Sequence, residues 1–275
     1  MVSYAARLCY LGDNYHGSQA QPGQRTVQGE LIEAISRWSG EPHSTKTVQF
    51  SGRTDRGVHS MGQIVKITTD ANFDIDRINR YLPDDISLWE YLRVPDQFNP
   101  RLDVIMRHYR YILGDIQDRV DLYALREGSV LLSGTHDFRL LAKPDGERNS
   151  QTTLINIAVI QTPPLVALDI FGTSFLWKLV RKLVTVLLRY SHQEISRQSI
   201  VALLESQQSL PGGIHPAPPE SLVLVETVVP FRLVRSKYAT RRIRKTIVAR
   251  LRTIGRQSAT LEAIDELLSL PTPFR

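Results

Sequence analysis

The chain has 275 residues, of which 42% are hydrophobic and 23% charged, a composition typical of one large or two medium globular domains. Cys9 is the only cysteine, which excludes an intramolecular disulfide and a zinc site built from several cysteines. The net charge of +6 favours an anionic partner, and because no apolar run reaches membrane-spanning length and the first residues lack a secretory signal pattern, we expect a cytoplasmic protein without membrane contact.

The first hundred residues alternate strand-like and helix-like segments. Residues 4–10 have the pattern of a strand, and residues 11–25 form a polar loop rich in Gly, Asn and Gln. Thr26 suits the N-cap of a helix in which apolar residues recur at helical spacing. Strands over residues 47–50 and 62–68 and a short helix over residues 75–81 follow. This order predicts an α+β fold.

A polar loop bracketed by Gly52 and Gly57 connects the two strands of residues 47–50 and 62–68. It places one carboxylate, Asp55, between the guanidinium groups of Arg53 and Arg56. Loops held by a rigid scaffold often carry catalytic residues, but an aspartate in a turn also commonly caps its own backbone. The spacing alone leaves both interpretations open.

A second unit begins with a strand over residues 108–113, in which Tyr109 and Tyr111 lie on the same face. Its order of elements is similar to that of the first unit, which suggests an old duplication. The pattern predicts a helix over 120–132, a turn over 134–138, strands over 154–162 and 166–171, a helix over 174–190, a proline-rich loop over 211–220 and a strand over 222–225. We therefore divide the chain into halves of residues 1–104 and 105–231 and a basic extension of residues 232–275.

The predicted helix over residues 174–190 has an apolar stripe and an opposite basic face. Arg181 belongs to neither group and falls at the border, beside Trp177 and Val184. A half-buried guanidinium at that position would require a carboxylate partner, but an arginine can also extend its charged head to water. Helical geometry leaves both alternatives open.

The extension after Phe231 is strongly basic, and we expect it to be partly helical near residues 261–270. Ten basic residues and no acidic one lie between Arg232 and Arg256, so the rest of the chain has a net charge of −4. Nucleic acid is the usual partner of such a segment in a soluble protein. The alternative is a solvated helix face beside the core.

Several motifs, all in one order, resemble those of the tRNA pseudouridine synthase A family. The most specific is Gly52-Arg53-Thr54-Asp55-x-Gly57-Val58-His59. The matches run from residue 4 to about residue 230, and the tail after Phe231 lies outside the pattern. The other motifs are Tyr10-Leu11-Gly12, Thr26-Val27-Gln28, Asn79-x-x-Leu82-Pro83-x-Asp85-Ile86, Phe98-Asn99-Pro100-Arg101, Arg107-His108-Tyr109-Arg110-Tyr111, Gly134-Thr135-His136-Asp137-Phe138, residues 175–181 and Ala217-Pro218-Pro219.

The resemblance implies the pseudouridine synthase fold, in which two ferredoxin-like α+β halves join their antiparallel sheets around a central RNA-binding cleft. It implies a homodimer that acts on tRNA. The implied reaction isomerises uridine to pseudouridine in the anticodon arm, typically at position 38, 39 or 40. Neither a metal nor an organic cofactor is expected.

The same resemblance assigns roles to three residues. Asp55 matches the family's nucleophile, which would attack either the uracil base or the sugar carbon. Arg181 matches the arginine that pairs with the nucleophile and orients it. Tyr109 matches the aromatic residue that stacks on the target uracil, and stacking of this kind contributes roughly 1–3 kcal/mol per base.

Other residues are expected near the RNA. A uridine in a stem must leave its helix to reach a carboxylate, and Arg53 or Arg56 would then fill the vacated stack or hold adjacent phosphates. His59 and Gln63 are expected to fix the loop rather than to react. Gln19, Gln21 and His136 are expected at the RNA surface, and His59 is also counted among the substrate-binding residues.

The chain also departs from the family pattern, although not at Asp55, Tyr109 or Arg181. A small residue is more usual at Arg56, an aromatic residue at Ser18 and an arginine at Thr153. Glycines are more usual at Thr185 and Ser191. These departures put the substrate range in doubt more than the reaction type.

Two other functions compete with the synthase hypothesis. One is a catalytically silent RNA-binding protein of the same fold, which the loss of any of the three matched residues would have favoured. The other is a carboxylate-dependent hydrolase of a glycosidic bond. That chemistry normally requires a second acidic group, and no motif in the sequence supplies one.

Overall fold

The computed structural model describes residues 1–114, 120–143, 149–163 and 165–269. Within these ranges, ten strands form one sheet that runs through both halves of the molecule. The predicted α+β class is confirmed. None of the described helices combines the length and the apolarity that a membrane crossing requires.

The first half has the strand and helix order of a ferredoxin-like unit. Its central strand is the first one, which pairs antiparallel with the third and the fourth, and the second strand pairs with the third. The elements are β1 (Val2–Tyr10), α1 (Val27–Ser39), β2 (Val48–Phe50), β3 (His59–Thr69), α2 (Ile75–Ile78) and β4 (Ile86–Val94).

The second half repeats this arrangement. The strand order β9-β5-β8-β7 corresponds to β4-β1-β3-β2 of the first half, and β6 is added at the outer edge. The elements are β5 (Met106–Gly114), α3 (Leu122–Leu132), β6 (Gly134–Asp137), β7 (Gln151–Thr162), β8 (Leu165–Gly172), α4 (Leu179–Ser191), α5 (Arg197–Leu204) and β9 (Leu222–Val228).

Each half has its own hydrophobic cluster. In the first, Leu31 and Ile35 of α1 pack with Leu8 and Val65 of the sheet, and in the second, Leu183 of α4 is part of a cluster formed largely by residues after 108. The start of α1 is fixed by Thr26, whose hydroxyl accepts a hydrogen bond from the Gly29 amide at 3.2 Å. The boundaries proposed at residues 104 and 231 stay predictions.

The halves meet where β3 and β9 pair in parallel, at His59 opposite Val223 and Ser60 opposite Leu224. The strands approach closely beside Gly62: a Cβ atom there would lie 2.4 Å from the Val225 carbonyl oxygen. Glycine is therefore required by the close approach of the two backbones. The other strand pairs in the sheet are antiparallel within the described residues.

The tail is more ordered than the sequence predicted. It forms β10 (Val234–Arg235), which pairs with β4, and then α6 (Lys237–Ser269), a helix that begins far ahead of the predicted residues 261–270. The sequence pattern does not indicate the first part of this helix, because basic residues interrupt the apolar periodicity. Residues 270–275 lie outside the described part of the chain.

Two other predictions were wrong in detail, and two elements were not predicted at all. The helix expected from residue 174 begins at Leu179, because Lys178 takes a left-handed conformation with φ of 66°. Residues 134–138 were expected as a turn, but Gly134–Asp137 form β6 by backbone pairing with β7. The strand β4 and the short helix α5 were missed. Neither sequence has a clear period: the apolar residues of β4 do not alternate strictly with polar ones, and α5 has only eight residues.

The close approach at Gly62 can be tested by comparison with Gly255, a helical glycine at which an added Cβ atom would have open space. Gly62→Ala should lower the free energy of unfolding by about 1–3 kcal/mol, because the added methyl group forces β3 and β9 apart. Gly255→Ala in α6 meets no atom within 4 Å and should be neutral or stabilising by up to about 1 kcal/mol. Urea unfolding measures both values, and equal effects of the two substitutions would contradict the close approach.

Candidate active site

A cavity of about 540 Å³ opens where the two halves meet. The first half contributes the loop around Asp55, and the second contributes Tyr109 of β5 and residues 173–181 ahead of and within α4. A cavity of this size is in the range that holds a nucleoside or a small ligand. The three residues matched to the chemistry therefore line one space.

Both oxygens of the Asp55 carboxylate accept a hydrogen bond from the second half. Oδ2 accepts from a terminal guanidinium nitrogen of Arg181 at 2.7 Å, and Oδ1 accepts from the indole Nε1 of Trp177 at 2.9 Å. The side chains of Asp55 and Arg181 are 19% and 13% exposed. Charge-assisted bonds of this length in a partly buried site are strong and directional, so the carboxylate is held in one orientation.

Arg181 is itself held by the loop before β9. Its Nε donates to the Ala217 carbonyl at 2.5 Å, and its own carbonyl accepts from the Ala217 amide at 3.1 Å. The same loop touches the Asp55 loop, since a Cβ atom at Gly57 (φ 85°) would lie 3.0 Å from the ring of Pro219. The segment of residues 217–219 thus fixes the positions of both partners in the ion pair.

Two buried hydroxyls hold the backbone on the other side of Asp55. The Ser18 Oγ accepts from the Thr54 amide at 2.8 Å, and the Tyr10 hydroxyl shares a 2.8 Å hydrogen bond with the Thr54 side chain. Ser18 is one of the departures from the family pattern. Its role here is structural, because its small side chain reaches a backbone donor that would otherwise be buried without a partner.

Tyr109 lies in the wall of the cavity on β5 and is 7% exposed. Its ring packs edge-on against Phe175, with centroids 5.0 Å apart. Burial raises the pKa of Tyr109 to about 12, and the nearby Arg107 guanidinium opposes that increase. The phenol is therefore neutral at physiological pH, and can donate a hydrogen bond or pack against a ring.

Two buried polar side chains that received no catalytic role hold the loops around the cavity. The guanidinium of Arg107 donates to the Ser51 carbonyl at 2.8 Å and to the Thr173 carbonyl at 3.1 Å, so it ties the two sides together. Gln63 accepts from the Ser51 hydroxyl at 2.7 Å and donates to the Gly52 carbonyl at 2.6 Å.

The two arginines of the signature loop have exposed side chains on different sides of Asp55. Arg53 lines the main cavity. Arg56 lines a second, more open cavity of about 520 Å³, where Asp13, Lys178 and Arg181 are its neighbours. The signature loop therefore contributes one arginine to each of the two cavities that Asp55 also lines.

The other predicted site residues do not line either cavity. His59 accepts a hydrogen bond from the Gly12 amide at 3.1 Å through Nδ1, which fixes the loop as expected. Gln21 donates to the His16 carbonyl at 2.9 Å, and the buried Gln19 Oε1 has no hydrogen-bond partner among the described residues. His136 lies on the edge strand β6, with Nε2 3.0 Å from the Ser133 carbonyl oxygen.

Three remaining departures have local explanations. Thr185 donates to the His215 carbonyl at 2.7 Å, which ties α4 to the loop before β9. Ser191 donates to the Leu188 carbonyl at 2.8 Å within the same helix. Thr153 shares a hydrogen bond with Thr135 at 2.7 Å, across β7 and β6.

The sequence did not single out Trp177. In a helix that began at residue 174, its ring would lie on the border beside Arg181, but the chain turns at Lys178 and the indole instead reaches Asp55. The Lys143 ammonium lies 4.1 Å from the centroid of the ring. The signal in the sequence was weak: an indole directly followed by the basic residue Lys178. Among the described residues, no group of three or more His, Cys, Asp or Glu side chains is arranged to hold a metal ion.

Comparisons with known proteins agree with the motifs. A family model described as tRNA pseudouridine synthase matches residues 5–86 and 129–230. The tRNA pseudouridine synthase A of Methanothermobacter thermautotrophicus is 34% identical over 246 residues, which cover 88% of this chain and 87% of the relative. That of Methanosarcina acetivorans is 37% identical over 225 residues, covering 80% and 82%.

Another relative reaches further along the chain. The tRNA pseudouridine synthase A of Methanosarcina barkeri is 34% identical over 271 residues, which cover 96% of this chain and 98% of the relative. The similarity to this relative must therefore extend into residues 232–275, which the family model does not reach. Among solved structures, the crystal structure of a Cbf5-Nop10-Gar1 complex has a TM-score of 0.36 at 10% identity, covering 81% of this chain and 58% of that chain.

The ion pair across the joint should be measurable as a coupling energy. In a double-mutant cycle, Asp55→Asn and Arg181→Gln should be non-additive in the free energy of unfolding by about 1–3 kcal/mol, because the pair is mostly buried. The exposed pair of Glu33 and Arg37 in α1 provides the control, with an expected coupling below about 0.5 kcal/mol. Additive effects at Asp55 and Arg181 would show that the two side chains do not interact in solution.

Proposed function

The chain belongs to the tRNA pseudouridine synthase family, and from this premise we propose that it converts uridine to pseudouridine in the anticodon stem-loop of tRNA, at position 38, 39 or 40. Membership makes the protein an isomerase of the tRNA pseudouridine synthase type. The choice of positions rests on the resemblance of the signature loop. The arrangement that supports the proposal best is the Asp55 carboxylate, exposed to a nucleoside-sized cavity while both of its oxygens are held.

The chemistry requires a carboxylate but no other reagent. The bond between uracil N1 and ribose C1′ breaks, the base turns, and C5 bonds to C1′ while the proton on C5 leaves and N1 gains one. No atom is gained or lost and nothing is oxidised, so no cofactor has to enter the balance. We assign Asp55 as the nucleophile, either toward the ribose or toward the base. The donors from Arg181 and Trp177 orient its lone pairs toward the cavity.

We assign to Tyr109 the face on which the uracil ring stacks. Its position beside Asp55 in the same cavity supports this role. A neutral aromatic ring stacks on any base and adds no charge to the pocket. Its raised pKa argues against a tyrosinate acting as a base at neutral pH.

The target uridine has to leave its stem to reach this pocket, which costs a few kcal/mol. We assign Arg53 and Arg56 to the RNA that surrounds the flipped nucleotide, where they would fill the vacated space or hold phosphates. Their exposed side chains on two sides of Asp55 support this assignment. The roles of Gln19, Gln21, His59 and His136 in RNA binding have no comparable support, because none of them lines either cavity.

The glycosidic-bond hydrolase is disfavoured by the lining of the cavity. Among the described residues that line it, Asp55 is the only carboxylate. A hydrolase of that type needs two carboxyl groups, one on each side of the bond. A silent RNA-binding protein would have no need for an aspartate held by two charge-assisted donors inside a cavity.

We further propose, from the family resemblance, that the protein is cytoplasmic and forms a homodimer. A monomeric mass in sedimentation velocity at micromolar concentration would contradict the homodimer.

Replacing the nucleophile tests the mechanism. Asp55→Asn keeps the shape of the side chain but removes its charge, so pseudouridine formation should fall by at least about a thousandfold while tRNA binding stays within about twofold. The control is Asp137→Asn, which removes a carboxylate paired with Arg139 outside both cavities and should leave the rate unchanged. Substantial turnover by Asp55→Asn would reject the assignment.

Mapping the converted uridines tests the proposed positions. Unmodified tRNA transcripts with uridine at position 38, 39 or 40 should each be compared with transcripts that carry uridine only elsewhere in the molecule. Sequencing of pseudouridine after reaction without added metal should find the product in the anticodon stem-loop. Product confined to another arm of the tRNA would reject the positions but not the reaction.

A further inference from the structure

The C-terminal helix α6 is firmly anchored at its first turns. Ser236 caps it by accepting from the Ala239 amide at 3.0 Å, and Ala239 and Ile243 are buried. Arg242 donates to the carbonyls of Ile86, Leu82 and Pro83 at 2.6–2.9 Å. These contacts fix the direction in which the exposed remainder of the helix leaves the body of the protein.

Four basic side chains form a stripe along this helix: Arg241, Lys245, Arg252 and Arg256. At about 100° per residue they fall within roughly 60° of one another, and they span about 22 Å along the axis. All four are exposed. They lie on the side of the helix away from the buried Ala239 and Ile243, and residues 232–261 contain no acidic side chain that would neutralise them.

The helix α6 passes beside the candidate active site. Half a turn before Arg252, the guanidinium of Arg250 makes a 2.8 Å ion pair with Asp13. Asp13 in turn lines the open cavity that contains Arg56, Lys178 and the Asp55–Arg181 pair. Because Arg250 lies about 150° around the helix from the middle of the stripe, the stripe is on the outer side of α6 and faces away from Asp13.

We propose that α6 is an RNA-binding arm whose basic stripe, formed by Arg241, Lys245, Arg252 and Arg256, holds the phosphate backbone of the tRNA outside the cavity. Charge complementarity over about 22 Å supports this partner, since a nucleic-acid backbone presents evenly spaced charges over that length. The proposal rests on the proposed function for the identity of the RNA. It adds a contact surface beyond residues 5–86 and 129–230, which the family model covers.

Apolar side chains on α6 favour a different partner for this helix, namely a second copy of the chain. Leu251, Ile254, Leu261 and Leu268 are 49–80% exposed and lie along a different side of the helix. A second copy of the chain could cover such an apolar stripe. The oligomeric state therefore has to be measured separately from tRNA binding.

The test neutralises the stripe in the full-length protein. The quadruple variant Arg241→Gln, Lys245→Gln, Arg252→Gln and Arg256→Gln removes four charges. Glutamine forms helices about as well as arginine and lysine, so the helix should be retained. The matched control removes four exposed charges outside α6 and outside both cavities: Lys46→Gln, Arg80→Gln, Arg93→Gln and Arg126→Gln. Circular dichroism and sedimentation velocity establish folding and mass for both proteins.

The measured quantity is the dissociation constant for an unmodified tRNA transcript between 50 and 300 mM salt. Each lost phosphate contact lowers the slope of log K against log salt by about 0.7–0.9, so the stripe variant should lose about 3 in slope and bind about tenfold more weakly or worse at low salt. Its kcat at saturating tRNA should stay within about twofold, because none of the four residues lines the cavity.

Three outcomes separate the hypotheses. A stripe variant that matches the control in slope and affinity would overturn the RNA-binding arm. A change of mass with unchanged tRNA affinity would overturn it in favour of self-association. Because binding is measured without turnover, a protein that binds tRNA through α6 but forms no pseudouridine would reject the proposed function and leave the arm standing.

Discussion

The contact between Asp55 and Arg181 is the interaction on which the rest of the site depends, because its two partners come from different halves of the chain. Asp55 lies in the loop just before β3, and β3 is the strand that pairs with β9 of the second half. Arg181 lies in the first turn of α4 and is held by the loop that leads into β9. The sheet joint and the ion pair are therefore neighbours, and a shift of one half against the other would separate the carboxylate from both of its donors.

The charge around the cavity explains how a single carboxylate can serve a polyanionic substrate. Arg53, Arg101, Arg107, Lys178 and Arg181 line the cavity, whereas Asp55 is the one acidic residue among its described lining. An excess of positive charge attracts the phosphates that flank a target nucleotide. The one negative group is paired and oriented by Arg181 and Trp177, so it adds little net repulsion while its lone pairs face the space where the base would lie. The basic stripe on α6 would extend this field beyond the cavity.

The sequence predicted the site better than it predicted some of the elements around it. The glycine-bracketed loop of Asp55 and the border position of Arg181 were each ambiguous alone. The family resemblance related them, because it assigns the two residues to one ion pair. The sequence pattern does not indicate the role of Trp177, because that role depends on the left-handed turn at Lys178 that delays the start of α4. The predicted length of helix α6 was too short for a different reason. Its first turns are stabilised by Ser236, Ala239 and Arg242 packing on the first half, and not by an apolar period of their own.

The most direct measurement of the central claim is a crystal structure of the inactive Asp55→Asn protein with an anticodon stem-loop RNA. The account predicts one uridine out of its stack, with its ring against Tyr109 and its ribose C1′ or uracil ring within about 3–4 Å of the side chain at position 55. Phosphates next to that uridine should lie near Arg53 or Arg56. An RNA bound on another face, with the cavity empty and the stem fully stacked, would contradict the assignment of this joint as the active site.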